Sequence, residues 1–150
     1  MNNKPLVSVV LPVYNGEAFV LDAVRSIQEQ TFQDWELIIV DDGSRDRSLE
    51  ICQNCASQDP RLRIYANPAN LGLAKTMNKL VRLARGKYIA IQEQDDMSLP
   101  ERLQLEVELL DSRPEVGLAS GVAAWINDKG EIFNYTLIAI APKISYNVLK

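Results

Sequence analysis

The sequence predicts an α/β fold in which a mostly parallel sheet is covered by helices on both faces. Apolar, β-branched strand segments alternate with helical segments four times along the chain, an order typical of parallel sheets. With 150 residues, 47% of them hydrophobic, the chain is long enough to build a core without disulfides or metal. We therefore expect one globular domain over residues 1–150.

Strands and helices can be placed individually. The apolar run Leu6–Val13 predicts a buried strand, and the spacing of Val20, Val24 and Ile27 predicts a helix after it. Further strands are predicted at 35–40, 61–66 and 88–91, and the helices are predicted at 18–30, 48–58 and 75–85. Gly86 is expected to end the third helix as a C′ glycine.

The last third of the chain carries a capping signal and a hairpin signal. Ser98, Pro100 and Glu101 predict a capped helix that runs to about Ser112. Strands are expected at 116–126 and 131–135, with a turn at 127–130.

Composition excludes several kinds of chemistry. The chain has no histidine, which rules out Ser/His/Asp triads, Cys/His dyads and His-ligated zinc within these residues. A net charge of −4 argues against nucleic acid as a partner. The sequence contains no signal-peptide or transmembrane pattern, so we expect a cytoplasmic protein. A longer form of the protein could also be located at the inner face of the membrane.

The two cysteines, Cys52 and Cys55, have CxxC spacing. This spacing could indicate a redox pair or half a metal site. Both residues fall inside a predicted helix, and no second CxxC or histidine is present, which favours packing cysteines in a reducing compartment.

Three polar clusters follow predicted strands, at Pro12–Gly16, Asp41–Ser44 and Glu93–Asp96. Each alone could be a turn or a solvated loop. The carboxyl ends of parallel strands lie on one rim, where open α/β sheets bind ligands. Acidic oxygens without histidine favour a hard ion such as Mg²⁺ or Mn²⁺.

Three segments together resemble the nucleotide-binding half of family 2 inverting glycosyltransferases, which have the GT-A fold. They are VSVVLPVYNGEAFVLDAVRSIQEQTFQDWELIIVDDGSRD, NLGLAKTMN and GKYIAIQEQDDMSLPERL. The resemblance covers roughly residues 6–126, with several motifs in the same order and spacing.

The resemblance implies a nucleotide-sugar site. Tyr14 is suited to stack on the base, and Asp42 would receive the base N–H, in a turn shaped by Asp41 and Ser44. The pocket would also be lined by Pro12, Val13 and Asn15. The segment Asn70, Leu71 and Gly72, with Lys75 just beyond, would lie near the nucleoside and diphosphate.

The metal motif of the family corresponds here to Glu93, Gln94, Asp95 and Asp96. The resemblance implies ribose contact by Asp95 and metal ligation by Asp96, Asp95 and Glu93. This sequence departs from the usual motif at three positions. Glu93 replaces an aspartate, Gln94 stands where a small residue is usual, and Gln92 stands where an apolar residue is common.

The reaction implied by the resemblance is metal-assisted transfer of a sugar from a nucleoside diphosphate sugar, with a UDP-sugar favoured, to an acceptor hydroxyl with inversion. The acceptor, whether sugar, lipid-linked or protein, is left open. Asp128 and Glu131 are weak candidates for the catalytic base, which we expect beyond Lys150. The chain would then be the donor-binding part of a longer protein that makes polysaccharide.

Other classes fit the sequence less well. A nucleotidyltransferase would carry a glycine-rich, basic loop after the first strand, where this chain has Gly16 and no basic residue. A receiver-like domain would place its acid pair there, and a dinucleotide-binding domain would carry GxGxxG. A degenerate, regulatory glycosyltransferase-like module also stays open.

Overall fold

The structure is a computed structural model that describes residues 4–127 and 129–136. The chain forms two compact units, Met1–Leu103 and Gln104–Lys150, which are described separately.

The first unit contains four strands and three helices. The strands are β1 (Val7–Val13), β2 (Trp35–Asp41), β3 (Leu62–Ala66) and β4 (Tyr88–Ile91), and the helices are α1 (Val20–Gln28), α2 (Ser48–Gln58) and α3 (Leu73–Leu83). The helix α4 (Arg102–Ser112) begins at the end of this unit. Each element lies within a few residues of its predicted position.

The four strands form a parallel sheet in the order β3-β2-β1-β4, which confirms the predicted sheet. Every residue of β1 and β2 is buried. Because successive side chains point to opposite faces of a sheet, both faces are covered at its centre. On one face, Val10, Ile38 and Val40 pack with Leu80 of α3.

The strand order reverses at β1, because β2 and β3 follow on one side of it and β4 lies on the other. Loops that leave the carboxyl ends of β1 and β4 diverge at such a point and leave a crevice. The ladder between these strands ends early, since Gln92 donates its N–H to the carbonyl of Val10 at 3.0 Å and Pro12 has no N–H to continue it.

Two predicted helix boundaries are wrong. The helix α3 ends at Leu83 with Ala84 as its C-cap, and Gly86 does not have a left-handed backbone, so it is not a C′ glycine. Gly86 is needed for close packing instead, because a Cβ atom there would lie 2.6 Å from the backbone nitrogen of Ser8. The helix α4 begins at Arg102, and the hydroxyl of Ser98 donates to Gln92 Oε1 at 2.6 Å.

The cysteines occupy α2, where Cys52 is fully buried and Cys55 is half-buried. Burial raises the pKa of the Cys52 thiol to about 12. A thiol that stays protonated is a poor nucleophile and metal ligand, which favours the packing interpretation.

In the second unit, β5 (Ala123–Ile126) and β6 (Ile132–Thr136) form an antiparallel hairpin. The predicted strand 116–126 is therefore too long, and its first part contains Gly117 and Gly121, which weaken strands. Asp128 and residues 137–150 lie outside the described residues. Across residues 4–127 and 129–136, no helix is long and apolar enough to cross a membrane.

Candidate functional site

A cavity of about 300 Å³ opens at the carboxyl ends of β1 and β4, where the strand order reverses. Four segments meet there: the end of β1, the residue after β2, residues 70–76 at the start of α3, and residues 93–96, which we call the acidic loop. The lining residues are Pro12, Val13, Tyr14, Asp42, Asn70, Gly72, Leu73, Thr76, Glu93, Gln94 and Asp95.

The loop after β1 is tied to the loop after β2. Asn15, in the left-handed region at a φ of 49°, donates its N–H to Ser44 Oγ at 2.9 Å and accepts the N–H of Arg45 on its Oδ1 atom at 2.9 Å. The side chains of Asn15 and Ser44 thus hold two loops together, and neither residue lines the cavity.

Asp41 closes the turn after β2. Its carboxylate is 2% exposed, and the Oδ2 atom accepts the N–H of Ser44 at 3.0 Å. Its Oδ1 atom is buried without a hydrogen-bond partner among the described residues. Asp41 does not line the cavity.

Asp42 lines the cavity and organises the loop that leads to α3. Its Oδ1 atom accepts hydrogen bonds from Asn67 Nδ2 at 2.7 Å and from the N–H of Leu71 at 3.0 Å, and its Oδ2 atom accepts the N–H of Gly72 at 2.9 Å. Burial raises the pKa of Asp42, but the hydrogen bonds from Asn67, Leu71, Thr76 and Gly72 outweigh it and hold the pKa below its ordinary value. This wall of the cavity therefore carries a fixed negative charge.

The amino end of α3 forms another wall. Gly72 is the N-cap residue, and Leu73 and Thr76 of the first turns line the cavity. The first turn itself holds no acidic residue, and the Asp42 carboxylate binds only the N–H groups of Leu71 and Gly72 that precede it, so the N–H groups of the first turn can still bind an anionic group. Lys75 is exposed and does not line the cavity.

The acidic loop is held from inside by Gln92, which is 1% exposed. Its Nε2 atom donates to the carbonyl oxygens of Asp96 at 2.7 Å and Glu93 at 3.2 Å. Its Oε1 atom accepts from Ser98 Oγ at 2.6 Å and Arg102 Nη1 at 3.1 Å. These bonds explain why a polar residue stands where an apolar one is common, because the buried amide satisfies the loop's carbonyl groups.

The acidic loop concentrates negative charge. Burial is the main cause that raises the pKa of Glu93, and the surplus of negative charge from the nearby Asp96 and Asp95 carboxylates raises it further. A cation would relieve this surplus, so the donor set fits a hard divalent ion. No three His, Cys, Asp or Glu side chains of the described residues form a metal-binding group. An ion here would therefore take one or two carboxylates and complete its shell with ligand oxygens and water.

The structure brings eight of the predicted site residues to one cavity: Pro12, Val13, Tyr14, Asp42, Asn70, Gly72, Glu93 and Asp95. Asp96 lies in the acidic loop but outside the lining, like Asn15, Asp41, Ser44 and Lys75. Sequence reasoning did not assign Leu73, Thr76 and Gln94 to the site. Thr76 follows Gly72 by one helical turn, a spacing that could have suggested it.

Residues 8–147 match the family model described as glycosyl transferase family 2. The chain therefore belongs to this family. A glycosyltransferase of Haemophilus influenzae described as uncharacterized is 32% identical over 98% of this chain and 58% of its own length. The putative teichuronic acid biosynthesis glycosyltransferase TuaG of Bacillus subtilis is 37% identical over 75% of this chain and 44% of its own length. The chain thus spans about half the length of these curated relatives.

Similarity to solved structures identifies the fold of this chain. Staphylococcus aureus TarS 1-349 in complex with UDP-GlcNAc matches with a TM-score of 0.69 and 26% identity, over 73% of this chain and 32% of that one. Mannosyltransferase PcManGT of Pyrobaculum calidifontis, at 24% identity and a TM-score of 0.68, shares the fold over 85% of this chain and 37% of its own. The fold is the GT-A glycosyltransferase fold, as expected. Neither finding favours a nucleotidyltransferase or a receiver-like domain.

Proposed function

We propose that this chain binds the donor of a glycosyltransferase that transfers a sugar, with inversion, from a nucleoside diphosphate sugar to an acceptor hydroxyl. The observation that carries the proposal is the single cavity that joins Tyr14 and Asp42 to the acidic loop. It offers an aromatic ring and a fixed carboxylate at one side and a cluster of acids at the other. These are the groups that a base and a metal-bound diphosphate require.

The nucleoside would occupy the wall formed by Tyr14 and Asp42. The Tyr14 side chain is 42% exposed, so its ring is accessible to a base. Asp42 Oδ2 accepts the N–H of Gly72, and a carboxylate oxygen can accept a further donor such as a base N–H. The resemblance to TarS, whose structure contains UDP-GlcNAc, supports a UDP-sugar as the donor.

The diphosphate would lie between the amino end of α3 and the acidic loop. We assign Asp95 to the ribose and one or two carboxylates from the set Asp96, Asp95 and Glu93 to a divalent metal, Mn²⁺ or Mg²⁺. Such an ion, when bound, neutralises charge on the departing diphosphate. The residues of this chain orient the donor and keep its diphosphate at the positive end of α3.

The proposed reaction also needs a catalytic base that deprotonates the acceptor hydroxyl. The acids that line the cavity, Asp42, Glu93 and Asp95, already have tasks in donor binding. We therefore propose that the catalytic base lies outside this chain, which would bind donor but transfer sugar slowly by itself. The name of TuaG supports a polysaccharide as the product.

Calorimetric titration with UDP in Mn²⁺, in Mg²⁺ and in chelator tests the metal assignment. We expect UDP to bind more tightly with either ion, and the Asp96→Ala variant to lose that gain. The matched control is Glu101→Ala, which removes an exposed acid outside the acidic loop. Equal metal-dependent affinity in the wild type and Asp96→Ala would remove Asp96 from the metal site.

A further inference from the structure

The edge of β1 that faces β4 changes its hydrogen-bond partner as the strand ends. Val10, Pro12 and Tyr14 point their backbone groups to this edge, because alternate residues share a side. Val10 pairs with the main chain of β4 and its following residue, and Pro12 has no N–H. Tyr14 comes after β4 has ended, so its backbone groups must find another partner.

That partner is the side chain of Gln94, 80 residues further along the chain. The N–H of Tyr14 donates to Gln94 Oε1 at 2.8 Å, and Gln94 Nε2 donates to the carbonyl oxygen of Tyr14 at 3.3 Å. A primary amide that both accepts from and donates to one residue replaces the peptide groups of a neighbouring strand. An alanine at position 94 would make neither bond.

The amide of Gln94 fits into a slot beside Gly16. A Cβ atom at position 16 would lie 2.6 Å from Gln94 Oε1 and 2.8 Å from Gln94 Cδ. Gly16 does not have a left-handed backbone, so a Cβ atom at this position would displace the end of the Gln94 side chain without straining the backbone of residue 16. Gly16 is itself fixed, because it is buried and its N–H donates to Ser48 Oγ at 2.8 Å.

The position of the Gln94 side chain affects the cavity, because Gln94 lies between two acids that line it, Glu93 and Asp95. Glu93, Gln94 and Asp95 line the cavity together with Tyr14. The bonds of Gln92 fix the acidic loop within itself, whereas the two bonds of Gln94 fix that loop to the opposite wall of the crevice.

We propose that Gln94 is a positioning residue of the donor site, one that joins the acidic loop to the main chain of Tyr14 and sets the distance between the nucleoside wall and the metal-binding acids. This inference rests on the proposed function of the cavity. It gives a role to a glutamine that stands where the related motif has a small residue.

The test is a double-mutant cycle with Gln94→Ala and Gly16→Ala, read by UDP titration in Mn²⁺. Each single variant should lose about tenfold or more in UDP affinity, the usual scale for a residue that orients ligands. Gly16 does not line the cavity, and the atoms that its new Cβ would meet belong to Gln94, so we expect this variant to act on UDP through the displacement of Gln94. The double variant should bind no more weakly than Gln94→Ala, since the clash is then relieved.

The second readout is amide hydrogen exchange at Tyr14, which does not depend on nucleotide. Exchange at Tyr14 should be faster in Gln94→Ala and unchanged in Gln53→Ala, a control that removes an exposed glutamine from α2. UDP affinity in Gln94→Ala within about twofold of the wild type, below the usual scale for such residues, would overturn the proposal. Losses that simply add in the double variant would also overturn it.

The proposed function can fail independently. If the wild-type chain binds no nucleotide while Tyr14 exchange still depends on Gln94, the donor site is wrong and Gln94 is only a structural link. If the wild type binds UDP and Gln94→Ala binds it equally well, only the positioning role is wrong.

Discussion

The Oδ2 atom of Asp42 accepts a hydrogen bond from the N–H of Gly72, the N-cap residue of α3, at 2.9 Å. The second acid of the aspartate pair thereby fixes the start of a helix that borders the cavity. The same carboxylate accepts hydrogen bonds from Asn67 and Leu71, so it shapes the loop before α3 as well as lining the cavity.

Replacing this acid should therefore affect stability and binding together. In Asp42→Asn an amide would face backbone N–H donors, and we expect a loss of about 1–3 kcal/mol in the free energy of unfolding, the cost of unpaired buried donors. UDP affinity should fall, and the amides of Leu71 and Gly72 should exchange faster. Asp22→Asn, an exposed change in α1, is the control. Unchanged exchange at Gly72 would contradict this role of Asp42.

A hydrogen-bonded cluster around Glu36 of β2, with partners on β1, on β3 and in the loop before β4, should affect the stability of the fold and leave nucleotide binding unchanged. Glu36 is 3% exposed and accepts hydrogen bonds from Ser8 Oγ at 2.8 Å, Arg63 Nη1 at 2.8 Å and Arg85 Nη2 at 2.6 Å. Burial raises the pKa of Glu36, but these bonds outweigh it and hold the pKa below its ordinary value. Urea unfolding of Glu36→Gln should show a loss of about 1.5–3 kcal/mol, the usual contribution of hydrogen bonds to a charged group, since both arginines lose their charged partner.

The control for that variant is Glu50→Gln, which breaks an exposed pair with Arg47 and should leave the free energy of unfolding nearly unchanged. Neither variant should change UDP affinity, because neither residue lines the cavity. A large loss of UDP affinity in Glu36→Gln with normal stability would contradict this separation.

The lowered pKa of Asp59 predicts that the free energy of unfolding depends on pH. The hydrogen bond from Arg61, at 2.8 Å, lowers the pKa of Asp59 from 3.8 to about 2. Because the pKa is lower in the folded state, the stabilisation is complete above the unfolded value and is lost as pH falls through the folded value. Wild type should exceed Asp59→Asn by about 2 kcal/mol in unfolding free energy near neutral pH. The gap should close between about pH 4 and pH 2, and a gap independent of pH would refute this assignment.

Substitution of Gly86 tests how closely the loop before β4 packs against the backbone of β1. A Cβ atom there would lie 2.6 Å from Ser8 N and 2.9 Å from the carbonyl carbon of Val7, and neither backbone atom can move freely. Gly86→Ala should cost about 1–3 kcal/mol in thermal or urea unfolding, the usual cost of overpacking. Gly117→Ala is matched to it, because nothing lies within 4 Å of a Cβ at that glycine. Equal stability of the two variants would show that the backbone at Gly86 adapts.

The strands and helices could be predicted from the sequence more accurately than the side-chain contacts between loops. β1, β2 and α2 were predictable because their apolar patterns and turn residues lie within the segments themselves. The roles of Gln92 and Gln94 were not, since they depend on loops brought together by the sheet. Gly86 was misassigned for the same reason, because its neighbour Ser8 is close in space but distant in sequence.

The same distinction applies to the site residues. Tyr14, Asp42 and Asp95 were placed by their positions after strands, and they line one cavity. Asn15 and Ser44 were assigned to the ligand, but the structure shows their side chains in bonds between loops. Sequence position predicts which end of the sheet a residue occupies, whereas its partner depends on the neighbouring loops.

The central claim, that this cavity binds the nucleoside diphosphate of a sugar donor, is tested most directly by UDP titration of two variants in α3. Leu73 is 60% exposed and lines the cavity, whereas Val81 is 47% exposed on the same helix and does not. With Mn²⁺ present, Leu73→Glu should abolish measurable UDP binding, because it adds bulk and negative charge beside the diphosphate, and Val81→Glu should bind like the wild type. Equal UDP affinity in Leu73→Glu and Val81→Glu, or no binding of UDP by the wild type, would contradict the assignment.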